Sequence, residues 1–180
     1  MPKPLVFDST PLIYLTRFSL SEFLKEISQP KFTTASVFEE VVCEGKRKSA
    51  PESSLLETLF EKEIIKVHNI SNKGYLKYVK EMAALNEMQP LHEAEAEVLC
   101  LTKELNGVAV ADDKVARSVA RILGIELHGT GYILGKIFAT GKIDKEELIE
   151  KVKEMRESGW YVSAEDYLKI IDYLKNLEIF

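Results

Sequence analysis

The sequence predicts an α/β protein, a three-layer α/β/α sandwich around a mainly parallel central sheet. Short and wholly apolar segments, such as Val108-Ala109-Val110-Ala111, alternate with helical patterns along the chain. Continuous apolar strands of this kind are typical of parallel sheets that helices cover on both faces. A second observation is that charged residues follow these strands directly, as Asp8 follows Leu5-Val6-Phe7. Ligands bind at the carboxyl ends of strands in open α/β sheets, so Asp8 is a candidate functional residue.

Composition limits the classes of protein to consider. The chain has 180 residues, of which 46% are apolar, enough to bury the core of one domain. It has no apolar run near the ~18 residues of a membrane span and no signal-peptide pattern, so we expect a cytoplasmic protein. Cys43 and Cys100 are too far apart to indicate a zinc site or a disulfide framework. The net charge of −5 does not indicate a nucleic-acid-binding protein.

The first half of the chain gives these elements in order. Ser9 or Thr10 can cap a helix that has Pro11 at its first position. A second amphipathic helix is predicted over 18–27, ended by Pro30, and a short strand over 31–34. A helix over 35–44 follows, with Gly45 as its terminator.

The middle of the chain begins with a basic loop, Lys46-Arg47-Lys48. Pro51 opens a helix that runs to about residue 62, and a strand follows over 64–67. A charged helix is predicted over 73–88 and a well-patterned one over 92–105.

The second half continues the alternation of strands and helices. The strand at 108–111 leads to a helix over 114–123, with Gly124 at its C-cap. A strand over 125–127 and the turn Gly129-Thr130-Gly131 precede a helix over 132–139. Two further helices begin at Asp144 and Ser163, each with a capping-box pattern.

Carboxylates at the strand ends predict a cation site. Asp8 and Asp112 each end a buried apolar strand and begin a helix. If the two strands are adjacent and parallel, these carboxylates meet at one edge of the sheet. Two unit charges about 5 Å apart repel by roughly 3 kcal/mol at an effective dielectric near 20, so a cluster of acids needs a cation. Oxygen ligands favour Mg²⁺ or Mn²⁺.

Helical positions identify further acidic candidates. Glu95 lies beside uncharged neighbours on the helix over 92–105. The other glutamates of this helix, Glu93, Glu97 and Glu104, share a separate, solvated face. A carboxylate on an apolar flank needs a partner or a metal. Glu39 and Glu40 lie on either side of the apolar stripe of the helix over 35–44, and the pattern does not choose between them.

With these residues identified, the chain resembles the PIN-domain family, over roughly residues 5–143. The five matching segments occur in the family's order: Phe7-Asp8-Ser9-Thr10-Pro11-Leu12-Ile13; Val37-Phe38-Glu39-Glu40-Val41; Leu91-His92-Glu93-Ala94-Glu95-Ala96-Glu97; Val110-Ala111-Asp112-Asp113 with Ala116-Arg117 and Leu123-Gly124-Ile125; and Gly129-Thr130 through Leu134 with Gly141-Lys142-Ile143. The four family acids correspond to Asp8, Glu40, Glu95 and Asp112. The chain departs from the pattern at Ala94, where a glycine is usual, and at Glu95, where an aspartate is usual.

The resemblance implies a PIN-like domain over 1–143, with a helical extension over 144–180 packed on it. It implies a metal-dependent ribonuclease whose Mg²⁺ or Mn²⁺ is held by Asp8, Glu95 and Asp112, with Asp113 as an extra ligand. Glu40 would complete the acidic cluster. Many members resemble the toxin half of a toxin–antitoxin pair, which implies a small antitoxin partner and a homodimer.

Basic residues near these acids are candidates for binding RNA. Lys114, Arg117 and Arg121 share one face of the helix that follows Asp112, and the 46–48 loop follows the helix of Glu40. Ser9 is a further candidate, for a phosphate or for a ligand carboxylate. Contacts of this kind provide affinity without sequence recognition.

Other functional classes are less consistent with the sequence. An aspartyl-nucleophile phosphatase usually has a second aspartate two residues after the first, where this chain has Thr10. A dinucleotide-binding fold needs a glycine-rich turn after its first strand, and Ser9-Thr10-Pro11 provides none. A PIN-like module that binds RNA or a protein without cutting stays open as the alternative.

Overall fold

A computed structural model of the chain describes residues 2–85 and 90–176. The described residues contain a five-stranded, all-parallel sheet in the order β3-β2-β1-β4-β5. Its strands are β1 (Leu5–Phe7), β2 (Lys31–Thr33), β3 (Lys66–Val67), β4 (Val108–Val110) and β5 (Leu127–His128). Helices flank this sheet, so the predicted three-layer α/β/α fold is confirmed.

The helices connect successive strands and cover the sheet. They are α1 (Ser9–Arg17), a 3₁₀ helix (Ser21–Glu26), α2 (Ala35–Phe38), a π-helix (Glu39–Glu44), α3 (Gly45–Arg47), α4 (Ser53–Glu61), α5 (Lys73–Leu85), α6 (Glu93–Glu104), α7 (Lys114–Leu123), α8 (Thr130–Ala139), α9 (Lys145–Glu157) and α10 (Ala164–Asn176). None of the helices in the described ranges is long and apolar enough to cross a bilayer.

The strand order places a crevice at the centre of the sheet. The chain builds β1, β2 and β3 in one direction and then returns to place β4 on the other side of β1. Such a reversal creates a ligand-binding crevice at the carboxyl ends of the two central strands. Phe7 is paired with Val110, so Asp8 and Asp112 follow neighbouring strands at the same edge.

Two helical segments differ from the sequence prediction, and a third lies partly outside the described ranges. The helix predicted over 18–27 is the 3₁₀ helix alone, because Ser19 has a positive φ of 58° and breaks the regular backbone. Gly45 does not end its helix but continues the π-helix into α3. A Cβ at Gly45 would lie 3.0 Å from Ser53 Cβ, so its lack of a side chain permits close packing of α4. The helix predicted over 73–88 is α5, and residues 86–88 lie outside the described ranges.

The last helix packs closely on α8. A Cβ at Gly131 would lie 2.7 Å from the side chain of Ile170, and one at Gly135 would lie 2.8 Å from the Tyr173 ring. Leu174 is buried between the helices. The segment after 143 therefore packs on the rest of the fold, while the division into 1–143 and 144–180 stays a prediction.

We expect Gly107→Ala to destabilise the protein. Gly107 precedes β4, and its added Cβ would lie 2.7 Å from the backbone oxygen of Pro4, which accepts a hydrogen bond from Val108 N. Because backbone atoms must move, we expect a loss of about 1–3 kcal/mol in the free energy of unfolding. Urea denaturation measures it. The control, Gly74→Ala in the exposed first turn of α5, should change it by less than about 0.5 kcal/mol, and equal losses in the two variants would contradict the prediction.

Candidate active site

Asp8 follows β1 and is the most deeply buried acid of the site. Its side chain is only 3% exposed, and Oδ1 has no hydrogen-bond partner among the residues that the structure describes. Burial raises the pKa of Asp8 from its ordinary value of 3.8 to about 7, although a hydrogen bond from the Ser9 backbone opposes the rise. The negative charges of Glu95, Glu40 and Asp112 raise this pKa further.

These electrostatic interactions show which acids the fold brings together. Glu40 comes from the π-helix, Glu95 from the first turn of α6, and Asp112 from the segment between β4 and α7. Their charges act on Asp8 across separations in sequence of 32 to 104 residues. The fold therefore brings Glu40, Glu95 and Asp112 near enough to Asp8 for their charges to raise its pKa.

The structure distinguishes Glu40 from Glu39. The charge of Glu40 acts on both Asp8 and Glu95, whereas Glu39 Oε1 lies 3.2 Å from Arg47 Nη2 in an ion pair. Both residues belong to the π-helix, an irregularity that often occurs at functional sites. Glu40 therefore stays the predicted site residue, with its charge acting on Asp8 in support.

Glu95 is half-buried and fixed by the start of its own helix. The backbone N–H of His92 donates to Glu95 Oε2 at 2.9 Å, as in a capping box. Burial raises the pKa of Glu95, this hydrogen bond opposes the rise, and the charges of Asp113 and Glu40 add to it. Glu95 therefore combines a helix-capping role with a position in the acidic cluster.

The carboxylate of Asp112 is held by three donors. Oδ1 accepts a hydrogen bond from Thr130 N at 2.7 Å. Oδ2 accepts from Thr130 Oγ1 at 2.6 Å and from Trp160 Nε1 at 2.9 Å. Since Thr130 is fully buried and Trp160 is 3% exposed, these donors cannot turn away freely, and the orientation of Asp112 is fixed.

The sequence analysis assigned no role to Thr130 or Trp160. A signal existed for Thr130, because it follows β5, which lies beside β4, and the ends of adjacent strands meet at one edge. Trp160 lies 48 residues after Asp112 in the sequence, and no local pattern connects the two.

Two further predicted residues have structural roles here. Asp113 caps α7, since its Oδ1 accepts a hydrogen bond from Ala116 N at 2.7 Å. Ser9 is buried, and its backbone N–H bonds the carboxyl group of Asp8. Each of them therefore contributes to the geometry of the acidic cluster.

The acidic cluster fits a hard divalent cation in the chemistry of its donors. Its side chains offer only oxygen atoms, the ligands that Mg²⁺ and Mn²⁺ prefer, and Asp8 Oδ1 is a buried acceptor without a donor in the described part of the chain. Within residues 2–85 and 90–176, however, no three Asp, Glu, His or Cys side chains are grouped closely enough to hold one ion. An oxygen of each of Glu95, Asp112 and Asp113 already accepts a hydrogen bond.

The two predicted basic clusters differ in their ion pairing. Lys114, Arg117 and Arg121 on α7 form no ion pair with any residue in the described ranges. The second cluster is not the loop that the sequence predicted, because Lys46 and Arg47 belong to α3 and Lys48 caps it. Each of its three residues forms an ion pair: Lys46 with Glu57 at 2.5 Å, Arg47 with Glu39 at 3.2 Å, and Lys48 with Glu44 at 3.0 Å. Of these two clusters, only the first therefore has free positive charge beside the site.

Comparison with known families agrees with this geometry. The family model described as "DUF3368: PIN domain" matches residues 4–176. The chain belongs to this PIN-domain family. The matched range contains all four acids of the site and continues through α10 of this PIN domain.

A curated relative of this PIN domain is the endoribonuclease Nob1 of Pyrococcus abyssi (strain GE5 / Orsay). The two proteins are 35% identical over 109 residues, which is 60% of this chain. The match covers 63% of the relative, less than two thirds of its length.

Proposed function

We propose that this protein is a metal-dependent endoribonuclease that hydrolyses phosphodiester bonds of RNA. The observation that supports this most directly is the buried oxygen of Asp8, which lacks a donor in the described ranges and belongs to a carboxyl group whose pKa the charges of three other carboxylates raise. Membership of the PIN-domain family and similarity to a protein named as an endoribonuclease also favour it.

The residues proposed to hold Mg²⁺ or Mn²⁺ are Asp8, Glu95 and Asp112, with Asp113 as a further ligand and Glu40 completing the cluster. A bound divalent ion lowers the pKa of a coordinated water and neutralises charge on the phosphate. The other residues act on the orientation of these ligands. Thr130 and Trp160 hold Asp112, and Ser9, being buried beside Asp8, positions that carboxylate rather than contacting RNA.

The substrate is proposed to lie along α7. Lys114, Arg117 and Arg121 follow Asp112 closely and have charge that no ion pair in the described ranges neutralises, and such charge attracts phosphate groups. The residues at 46–48 contribute less, because each would first have to leave an ion pair.

We expect the double variant Arg117→Gln/Arg121→Gln to bind single-stranded RNA more weakly. The slope of log affinity against log salt should fall in magnitude by about 1.4, since each phosphate contact on a single strand contributes roughly 0.7. Fluorescence anisotropy across a salt series measures both quantities. The matched control, Lys46→Gln/Lys48→Gln, should bind nearly as the unmodified protein does, and equal weakening by both variants would contradict the choice of α7.

A metal titration followed by an RNA cleavage assay tests the function itself. Cleavage that begins when Mg²⁺ or Mn²⁺ is added to the chelator-treated protein supports the proposal. RNA binding without cleavage at any concentration of either ion would instead favour the non-catalytic PIN-like module.

The finer expectations from the resemblance stay predictions. They are a toxin role, a small antitoxin partner and a homodimer, and the cytoplasmic location expected from the composition also stays a prediction. Size-exclusion chromatography of the purified protein with light scattering measures the oligomeric state directly.

A further inference from the structure

A cavity of about 320 Å³ opens directly beside Asp112. It lies between the first turns of α7 and α8 on one side and the 160–163 segment and α10 on the other. This volume is at the lower end of the range of small-molecule sites, roughly 300–1,000 Å³. The cavity can therefore take one flat ring system but not a folded peptide.

Aromatic rings form much of the wall of this cavity. The rings of His128 and Tyr132 stack with centroids 4.3 Å apart, and Trp160 also lines the cavity while donating to Asp112. Tyr161 is 71% exposed, yet Lys114 Nζ donates to its hydroxyl at 3.3 Å and lies 5.2 Å from its ring centre. An exposed aromatic ring of this kind is a surface on which nucleobases stack.

The charges around the cavity favour a phosphate beside that ring. Lys114 and Arg117 line it and have no ion-pair partner in the part of the chain that the structure describes. Lys169, which also lines it, is paired with Glu165 at 2.6 Å. Two carboxylates also line it: Asp112 already accepts three hydrogen bonds, and Asp166 accepts one from Ser163 Oγ at 2.7 Å. Free positive charge is thus concentrated on the side where α7 begins.

We propose that this cavity is a nucleobase subsite, in which one base of single-stranded RNA stacks on Tyr161 while its phosphate contacts Lys114 and Arg117. The inference rests on the proposed function, because it names the part of the RNA that the same site binds. A base held here would place its backbone next to Asp112, which also lines the cavity.

The experiment measures nucleotide binding without metal, so it does not depend on cleavage. The chain has a single tryptophan, Trp160, whose fluorescence reports on the cavity. AMP, GMP, CMP and UMP are titrated in EDTA, with ribose 5-phosphate and inorganic phosphate as probes that lack a base. We expect at least one nucleotide to bind and to change the fluorescence, and calorimetry to give the same dissociation constant, well below that of ribose 5-phosphate.

Variants of Tyr161 test the stacking surface. Tyr161→Ala should weaken nucleotide binding at least about fivefold, the low end of what losing one base–aromatic stack costs. Tyr161→Phe keeps the ring and should bind within about twofold of the unmodified protein, since the stacking surface is retained. The control, Tyr78→Ala, removes a partly exposed tyrosine of α5 away from the cavity and should have no effect.

Several outcomes would overturn the subsite. One is that ribose 5-phosphate binds with the same dissociation constant as the nucleotides. The others are that no nucleotide binds at millimolar concentration, or that the Tyr161→Ala variant binds nucleotides as tightly as the unmodified protein does. Failure of the proposed function is seen separately. If the protein binds nucleotides in the cavity beside Trp160 but cuts no RNA when metal is added, the proposed ribonuclease function is refuted and the proposed subsite is retained. If it cuts RNA but binds no nucleotide, the subsite is refuted and the ribonuclease function is retained.

Discussion

Replacing Asp8 with asparagine is expected to abolish metal-dependent RNA cleavage and, at the same time, to stabilise the fold above pH 7. The loss of cleavage follows from the proposed role of Oδ1 as a metal ligand, since an amide removes the negative charge that binds the ion. The gain in stability follows from the burial of the same group, because an amide at this position carries no charge that burial would penalise.

The pH dependence of this stabilisation has a definite sign. Asp8 has a pKa of about 7 in the folded protein against an ordinary value of 3.8, so the folded state holds its proton more tightly than the unfolded state does. Below about pH 4 Asp8 is protonated in both the folded and the unfolded state, so its ionisation should make no difference between the free energies of unfolding of the two proteins. The stability of the unmodified protein then falls as pH rises to about 7, and above that pH the difference reaches about 4 kcal/mol at 1.36 kcal/mol per pKa unit.

Chemical denaturation in EDTA at pH 4 and pH 8 measures the difference, and the cleavage assay measures activity. The matched control is Asp144→Asn, an exposed aspartate at the start of α9, which should change neither activity nor the pH dependence. Mn²⁺ should raise the melting temperature of the unmodified protein and not that of Asp8→Asn. Cleavage retained by Asp8→Asn would rule out its assignment as a metal ligand.

Gly129→Ala is expected to lower the rate of RNA cleavage by about 100-fold, the cost of displacing a catalytic group by roughly 1 Å. A Cβ at Gly129 would lie 2.7 Å from Asp112 Oδ1 and 3.3 Å from Arg117 Nη2. Gly129 has a φ of −88°, which any residue adopts, so the effect comes from this contact and not from backbone strain. The carboxylate must move away, and its hydrogen bonds to Thr130 are lengthened.

Single-turnover cleavage at saturating RNA measures this effect, and circular dichroism checks that the variant is folded. Gly74→Ala, which adds the same methyl group to α5, serves as the control and should cleave at the normal rate. A Gly129→Ala protein that is folded and fully active would show that the orientation of Asp112 does not matter for the reaction.

The parts of the fold that the sequence predicted are those determined by local chemistry. The helix over 114–123 has the predicted bounds, because Asp113 caps one end and Gly124, with a φ of 64°, ends the other. The strands β1 and β4 were visible as apolar segments followed by acids. Their adjacency could only be assumed from the sequence, and the register of Phe7 with Val110 now supplies it.

The parts that the sequence did not predict depend on contacts between distant residues. Gly45 looked like a terminator, but the approach of Ser53 gives it a packing role inside the helix. The basic residues at 46–48 looked free, but two of their three partners, Glu39 and Glu44, lie on the preceding π-helix. Trp160 could not be connected with Asp112 by any period or motif, because the hydrogen bond between them depends on how the C-terminal segment packs.

The outermost strands, β3 and β5, have only two residues each. Each therefore offers few unpaired backbone groups to which a strand of another molecule could bind. This arrangement opposes edge-to-edge aggregation, even at high protein concentration. It also means that a sheet continuing from one copy to another would have almost no backbone hydrogen bonds to hold it, so the sheet edges are a poor surface for association.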